Sequence, residues 1–424
     1  MKKVSVIGLG YVGLPLLCAI AKSKKYEANG YDLSKEKISM ISKKQCPIED
    51  EICSKDLKTV KIQVSNDESI LKNSDYFIIC VPTPVLSDYT PDYTPVIEAS
   101  KTVSKYLKKG CTVILESTVN PGTCEEVVYP ILLKNKSKLK KGDFVLSHCP
   151  ERINPGDPKW NVYNIPRNIG TDPSEKVHEV ADFYRSFLKG EINEVSSLKI
   201  AEATKIIENT FRDINIAYVN ELAKSFDAMG IDLIETIKAS SNKPFAFMPH
   251  WPGRGVGGHC IAVDPYYLIN RAAKSGFNHK FLKMAREVNN GMPKYTVGRL
   301  QSALNEIEKS VKGTKIALLG LSYKENVGDL RESPCLIIKD ILLNMGADLL
   351  IYDPYIPQMS NVKSLDQALE KCEAVLLCTA HKPFLELNTI LKKYKNIKVV
   401  IDGMNKLDKK AIEKLGIIYR GIGR

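Results

Sequence analysis

The chain has 424 residues, with 61 Lys and Arg against 49 Asp and Glu, so its formal charge is 61 − 49 = +12 with histidines neutral. A composition 44% hydrophobic and 26% charged belongs to a globular protein of two or three domains; it excludes a collagen, a coiled-coil rod and a disordered chain. The longest uncharged stretch, Val4 to Ala21, is broken by three glycines, Pro15, Ser5 and Tyr11, so neither a membrane span nor an export signal is read from it. The eleven cysteines form no CxxC pair, which points to free thiols and a cytoplasmic protein. The lysine excess is dispersed along the chain: a solvated face that also eases the approach of a polyanionic small molecule, with no nucleic-acid motif beside it.

Strand-length apolar runs alternate with amphipathic stretches through the first part of the chain. Val4 to Gly8 is followed by the helical pattern Leu14 to Lys22, then by strands at Gly30 to Asp32, Tyr76 to Val81, Thr112 to Glu116 and Phe144 to Ser147. This is the rhythm of βαβ units in a parallel sheet. From Ser197 to about Gly230 the pattern changes, with Ala203, Ile206, Ile207, Thr210, Ile214, Ala217, Leu222 and Phe226 at helical spacing and no Gly or Pro between. So long a helix reads as a spine between two lobes and as a dimer surface; burial within one subunit is the other reading. Strand rhythm returns at Lys315 to Gly320, Asp348 to Tyr352, Ala374 to Cys378 and Lys398 to Ile401. The expected fold is therefore α/β, two doubly wound lobes joined by a long central helix and a helical middle domain, with boundaries at 1–196, 197–297 and 298–424. The lobes share a rhythm rather than a recognisable repeat.

The first strand ends in Gly8-Leu9-Gly10-Tyr11-Val12-Gly13, a GxGxxG between a strand and a helix. Gly8 permits the tight turn, Gly10 lets backbone approach a pyrophosphate, and Gly13 allows helix and strand to pack closely. Asp32 ends the second strand, about 20 residues on, where a carboxylate accepts ribose hydroxyls and repels a 2′-phosphate. NAD is therefore the predicted cofactor; a plain glycine turn with a surface aspartate is the bland alternative. Val81-Pro82-Thr83-Pro84 and Glu116-Ser117-Thr118 each follow a strand and lie at the carboxyl edge of the sheet, where open α/β folds bind ligands. Turn chemistry alone accounts for either segment; with the glycine loop they form a cleft wall.

The segment Pro252-Gly253-Arg254-Gly255-Val256-Gly257-Gly258-His259-Cys260-Ile261-Ala262-Val263-Asp264 carries four glycines in six positions. Its backbone N–H groups suit an anion, and it delivers one cysteine with an aspartate four residues on. A thiolate there is a candidate nucleophile. Two other readings compete: His259 and Cys260 as metal ligands, which lack a partner pair elsewhere, and Cys260 as a buried structural thiol. No metal is predicted.

Six ordered segments carry a resemblance over essentially the whole chain: the glycine turn, Glu116-Ser117-Thr118, Pro150-Glu151-Arg152-Ile153-Asn154-Pro155-Gly156, the spine Ala201 to Thr210, Gly257-Gly258-His259-Cys260, and Lys324 through Arg331-Glu332-Ser333-Pro334. The chain resembles the UDP-glucose/GDP-mannose dehydrogenase family, NAD-dependent enzymes that oxidise a nucleotide sugar twice at C6. The resemblance implies Rossmann-like lobes for NAD and a UDP-sugar, and a homodimer through the central helix. It makes Cys260 the nucleophile of a thiohemiacetal and thioester route, which keeps the aldehyde from escaping. Lys205 and Asn209, one helical turn apart, stabilise charge on the C6 oxygen. Asp264 and Thr118 position the hydrolytic water, and Glu151 is a general base beside the sugar. Lys324 and Arg331 are implied contacts of substrate and cofactor. Arg152, Gly257, Gly258 and His259 complete the implied substrate site, and Tyr11, Val12, Pro82, Thr83 and Ser117 the cofactor site. Arg254 is placed to reach a diphosphate, that of the neighbouring subunit included.

Two departures from the UDP-glucose branch bear on the substrate. Val263 stands where that branch has a lysine, and Pro155 where it has a second glutamate. The segment Glu151 to Asp157 is most similar to UDP-N-acetylglucosamine members, and Ile261 to Asp264 is also similar to UDP-N-acetylmannosamine members. The resemblance thus implies a UDP-N-acetylhexosamine, UDP-N-acetylglucosamine first, on the way to a surface glycan.

Overall fold

Strands with both faces covered read as unbroken apolar runs, and Tyr76–Ile79 and Thr112–Leu115 are buried at every position. In a computed structural model describing residues 1–86, 89–134, 138–153, 159–258 and 260–424, they lie at the centre of an eight-stranded sheet. The chain divides into two units, Met1–Glu208 with Tyr266–Ser275, and Asn209–Pro265 with Gly276–Arg424.

The sheet of the first unit runs in the order β3 (Gln63–Ser65), β2 (Tyr26–Tyr31), β1 (Lys2–Ile7), β4 (Tyr76–Ile79), β5 (Thr112–Leu115), β6 (Val145–His148), β7 (Arg167–Asp172) and β8 (Ile192–Glu194). The first six strands are parallel, and β7 pairs antiparallel with β6. Strand order reverses between β1 and β4, which opens a crevice at their carboxyl ends. The helix Gly13–Lys22 packs beside it with Leu14, Leu16, Leu17 and Ile20 fully buried. Sequence reading ends this lobe's strands at Ser147. The structure adds β7 and β8, hidden in the sequence because Arg-Asn-Ile-Gly-Thr-Asp has no apolar run.

In the second unit, β10 (Asp348–Tyr352), β9 (Lys315–Leu319), β11 (Ala374–Leu377), β12 (Val399–Asp402) and β13 (Ile418–Gly421) form a wholly parallel sheet in that order. Helices Lys280–Asn305 and Pro334–Asn344 share a core with it through Leu300, Leu304, Ile338 and Leu342. The central helix spans Leu198–Met229, within one residue of the predicted bounds at each end. At 1.5 Å per residue it is about 48 Å long. The expected architecture of two parallel-sheet lobes and a helical middle holds. Among the described residues no helix is long and apolar enough to cross a membrane.

Candidate active site

The glycine turn after β1 has the shape a dinucleotide requires. Gly8 takes φ +91°, and an added Cβ would meet the Cys80 carbonyl oxygen at 2.8 Å. At Gly13 a Cβ would fall on the Gly8 carbonyl, whereas at Gly10 it would meet nothing within 4 Å. The first and third glycines thus close the turn, and the second leaves room for a pyrophosphate. Asp32 accepts the Leu9 N–H at 2.8 Å and the Ser34 N–H at 2.9 Å, which fixes its carboxylate at the end of β2. The cradle fits NAD. Tyr11 is exposed and Val12 half-buried on the same turn.

Across the crevice, Ser117 donates to the Val81 carbonyl at 2.6 Å, tying the end of β5 to the segment after β4. The Thr83 carbonyl accepts from Tyr267 at 2.7 Å; Pro82 is exposed and Thr118 half-buried. Behind this wall lies an ionic cluster absent from the sequence reading. Arg167, fully buried, donates to Glu116 at 3.1 Å and to Glu151 at 3.0 Å, while Tyr184 donates to Glu116 at 2.5 Å. Burial pushes the Glu116 carboxyl up against the pull of Arg167. The second oxygen of Glu151 accepts the N–H groups of Arg152 and Ile153 at 2.6 and 2.5 Å. Glu151, expected as a general base, also anchors the backbone at the start of its loop. Arg152 pairs with Glu208 at 2.7 Å and donates to the Pro166 carbonyl at 3.0 Å. Glu202 on the central helix accepts from Gly122 and Cys124 N–H at 2.5 and 2.7 Å, and burial pushes its carboxyl up to about 7. Lys205, on the same helix, is half-buried. Residues 154–157 of the resemblance lie outside the described residues.

In the second unit the glycine loop is pinned at several points. Asn220, fully buried on the central helix, accepts the Gly253 N–H at 2.9 Å and donates to Asn289, which in turn donates to Asp213 at 2.8 Å. Arg254, expected to reach a diphosphate, is only 3% exposed, and its guanidinium donates to Cys335 Sγ, the Tyr323 carbonyl and Thr379 Oγ1, each at 3.0 Å. Burial pushes the Cys335 thiol up, but the Cys378 thiol and Arg254 outweigh it and hold it well below the ordinary range. Gly258 takes φ +86° and donates to the Arg331 carbonyl at 3.0 Å, and a Cβ on Gly257 would meet the Glu332 carbonyl oxygen at 2.7 Å. Arg331 pairs with Asp329 at 2.6 Å and interacts electrostatically with Cys260, a cation where a thiolate needs one.

Cys260 is exposed, which removes the reading of a buried structural thiol. Its carbonyl accepts the Asp264 N–H at 2.8 Å, and the Asp264 carboxylate accepts from Asn209 Nδ2 at 2.5 Å. Lys324 is half-buried in the loop after β9. His259 lies outside the described residues. No group of three or more His, Cys, Asp or Glu side chains among the described residues is arranged to hold a metal. The buried contacts of Arg167, Asn220 and Arg254 join residues far apart in the chain, and no local spacing announces them.

Three family models match in order: the UDP-glucose/GDP-mannose dehydrogenase NAD binding domain at residues 2–188, the central domain at 199–291 and the UDP binding domain at 317–409. The UDP-N-acetyl-D-mannosamine dehydrogenase of Pyrococcus horikoshii is 38% identical over 430 residues, covering 100% of this chain and 99% of the relative. A UDP-N-acetyl-D-glucosamine 6-dehydrogenase of Pseudomonas aeruginosa is 39% identical over 355 residues, 84% of this chain and 83% of the relative. A solved structure of UDP-D-ManNAc dehydrogenase from P. horikoshii is 35% identical, covers 100% of this chain and 99% of that one, and superposes with a TM-score of 0.92. With matching domains from end to end, a dinucleotide turn and a cysteine-bearing glycine loop, the chain belongs to the UDP-glucose/GDP-mannose dehydrogenase family of NAD-dependent oxidoreductases.

Proposed function

We propose that the chain oxidises C6 of a UDP-N-acetylhexosamine to the carboxylate, with Cys260 as the covalent nucleophile. The observation that carries this reading is the exposed Cys260 thiol at the end of the glycine loop, one turn before an Asp264 already hydrogen-bonded to Asn209. NAD, when bound at the glycine turn, supplies the hydride acceptor for both oxidations. Lys205 and Asn209 hold the C6 oxygen as its charge changes. The Cys260 thiolate adds to the aldehyde carbon, so the intermediate stays attached through thiohemiacetal and thioester. Asp264 and Thr118 orient the water that cleaves the thioester, which returns the thiol and frees the uronic acid. Glu151 is the general base beside the sugar and Arg152 a substrate contact, while Lys324 and Arg331 meet the nucleotide's charge.

In this reading residues 1–196 hold NAD, 298–424 hold the UDP moiety, and 197–297 carry a homodimer contact. Ile200, Ile207, Phe211 and Tyr218 are exposed on the central helix with the seven-four-seven spacing of a helix–helix seam, which supports a second copy there. Eleven free cysteines support a cytoplasmic setting.

UDP-N-acetylglucosamine is the first candidate substrate, on the segment that starts at Glu151. UDP-N-acetylmannosamine is the second, favoured by the end-to-end cover of the Pyrococcus relative that bears that name. The test is NADH formed per sugar consumed, with each N-acetylated UDP-sugar and UDP-glucose supplied separately in limiting amount. Two NADH per molecule of one N-acetylated sugar is the expected result. One NADH per sugar, or full two-step turnover by Cys260→Ala, would overturn the mechanism; turnover confined to UDP-glucose would overturn the substrate.

A further inference from the structure

Glu202 is a fully buried carboxylate to which the proposed reaction gives no task. Its two oxygens divide between two backbone donors, Oε2 taking the Gly122 N–H at 2.5 Å and Oε1 the Cys124 N–H at 2.7 Å. The central helix reaches in this way, across 80 and 78 residues, to the segment that leaves β5. That segment is held at two other points: Ser117 donates to the Val81 carbonyl at 2.6 Å, and the Asn120 N–H donates to the Tyr93 hydroxyl at 2.9 Å. Thr118 lies between those two ties, followed by Val119 buried in the core. The third tie, to Glu202, runs to the helical turn just before Lys205.

The surroundings make this clamp depend on the charge of one group. Lys199 pairs with Glu125 at 2.7 Å and Arg271 donates to Glu126 at 2.7 Å, so the cations near the segment face other acids. The Cys124 sulfur stands 3.9 Å from His148 Nδ1; burial holds the His148 ring down to about 3 and pushes the Cys124 thiol and the Tyr93 hydroxyl up, which leaves all three neutral. Burial also pushes the Glu202 carboxyl up to about 7, against the pull of the two N–H groups and with the Glu125 charge adding to the push. An ionised carboxylate offers lone pairs to both donors. A protonated one turns a hydroxyl toward the second N–H and loses one end of the clamp.

We propose that Glu202 is a positioning residue for thioester hydrolysis: its carboxylate clamps the segment after β5 to the turn before Lys205 and so keeps Thr118 where it orients the attacking water. The proposal rests on the Cys260 thioester route. In that step water adds to the thioester carbon, the C–S bond breaks, one water proton goes to the sulfur and the other leaves as the acid ionises. Glu202 touches none of these atoms and acts through Thr118.

The experiment mixes the full chain rapidly with NAD and UDP-N-acetylglucosamine or UDP-N-acetylmannosamine, whichever the parent oxidises. Glu202→Gln turns an amide donor toward one of the two N–H groups. It is expected to form two NADH per chain in a burst and then to turn over about tenfold more slowly. Acid-quenched protein should carry the uronyl thioester on Cys260 as added mass, with KM for NAD within about twofold of the parent. Placed in Thr118→Ala, the same change should add less than about a further twofold, because what the clamp positions is already gone. A second measurement needs no change at Glu202: single-turnover hydrolysis by the parent should fall as pH drops through about 7, and Thr118→Ala should flatten that fall. The proposal fails if Glu202→Gln hydrolyses the thioester at the parental rate, if its loss falls on the first hydride transfer, if the losses of the two changes multiply, or if Thr118→Ala keeps the parental pH profile. A parent that forms fewer than two NADH per sugar would overturn the thioester route itself, and this proposal with it.

Discussion

The two sheets end their first strands alike and then diverge. β1 runs into Gly8-Leu9-Gly10-Tyr11 and β9 into Gly320-Leu321-Ser322-Tyr323. Both leading glycines have positive φ, +91° and +83°, and an added Cβ would meet the carbonyl oxygen of Cys80 at 2.8 Å or of Thr379 at 2.7 Å. The next N–H donates in each case to an aspartate ending the adjacent strand, Leu9 to Asp32 at 2.8 Å and Leu321 to Asp353 at 2.6 Å. The contents of the two crevices differ. Beside β1, Gly10 faces open space. Beside β9, the Ser322 hydroxyl bonds the Lys324 carbonyl at 2.8 Å, His381 sits 3.2 Å from a fully buried Asp353, and Arg254 covers Tyr323 and Thr379. The same backbone turn leaves room for a pyrophosphate at Gly10 in one sheet and is a joint packed by side chains at Ser322 in the other, and the side chains decide which.

The sharpest way to break the comparison is at the third glycine. Gly13→Val puts carbon on the Gly8 carbonyl, so NAD affinity in a fluorescence titration is expected to fall more than about 100-fold, roughly 3 kcal/mol. Glu325 holds the matching place after β9 and pairs with Lys406 at 3.2 Å, so Glu325→Val should leave NAD affinity unchanged. A Gly13→Val protein that binds NAD within tenfold of the parent would show that the turn tolerates bulk.

Next in size comes the arginine that fills the second crevice. Arg254→Ala leaves a buried Cys335 sulfur without its cation, at a cost of about 3 kcal/mol in the urea transition of the second unit. The double variant Arg254→Ala/Cys335→Ala should recover more than half of that loss. No recovery would mean that packing, not charge, joins the two side chains. Because Arg254 pins the loop carrying Cys260, kcat should fall about tenfold or more with NAD affinity unchanged, about 1.4 kcal/mol.

The paired aspartates separate next. Burial pushes the Asp353 carboxyl up, but hydrogen bonds from His381 and the Leu321 N–H outweigh it and hold it below the usual range. A depressed folded value stabilises above the unfolded carboxyl value of about 3.9, and the contribution fades as pH falls through the folded value. Asp353→Asn is therefore expected to cost about 2 kcal/mol at pH 7, with the deficit shrinking toward pH 3 and NAD affinity unmoved. Asp32→Asn should do the reverse, raising KM for NAD about tenfold and relaxing discrimination against NADP while the urea midpoint stays. If both variants moved the same quantity, the division between crevice and joint would be lost.

These sites show what the amino-acid order announces and what it conceals. Gly8, Gly10, Gly13 and Asp32 are legible because strand, turn and helix are contiguous and the carboxylate follows at a fixed interval. The central helix is legible from its apolar spacing. Arg167, in contrast, meets Glu116 across 51 residues and Glu151 across 16, and its own strand has no apolar run. Arg254 reads from the sequence as a cation among glycines, placed to meet an anion. Its burial depends on Cys335 and Thr379, 81 and 125 residues away. The turn shared by β1 and β9 reads only as Gly-Leu-x-Tyr, too short to be a repeat until the two strands are laid side by side.

The smallest expected effect tests whether a single side chain keeps the second crevice closed. Ser322→Gly removes a hydroxyl bonded to the Lys324 carbonyl and 3.2 Å from His381, and it frees the backbone in the unfolded chain. The expected cost is about 1 kcal/mol in the urea midpoint of the second unit. The variant recreates the Gly-Leu-Gly-Tyr order of the first turn, yet calorimetry should still find one NAD per chain. Arg254 would still lie across the strand ends, and Asp353 would still be bonded to His381 with no oxygen turned to solvent. A second equivalent of NAD would mean that the serine alone separates a joint from a binding site, and that the buried arginine yields to a pyrophosphate when space is offered.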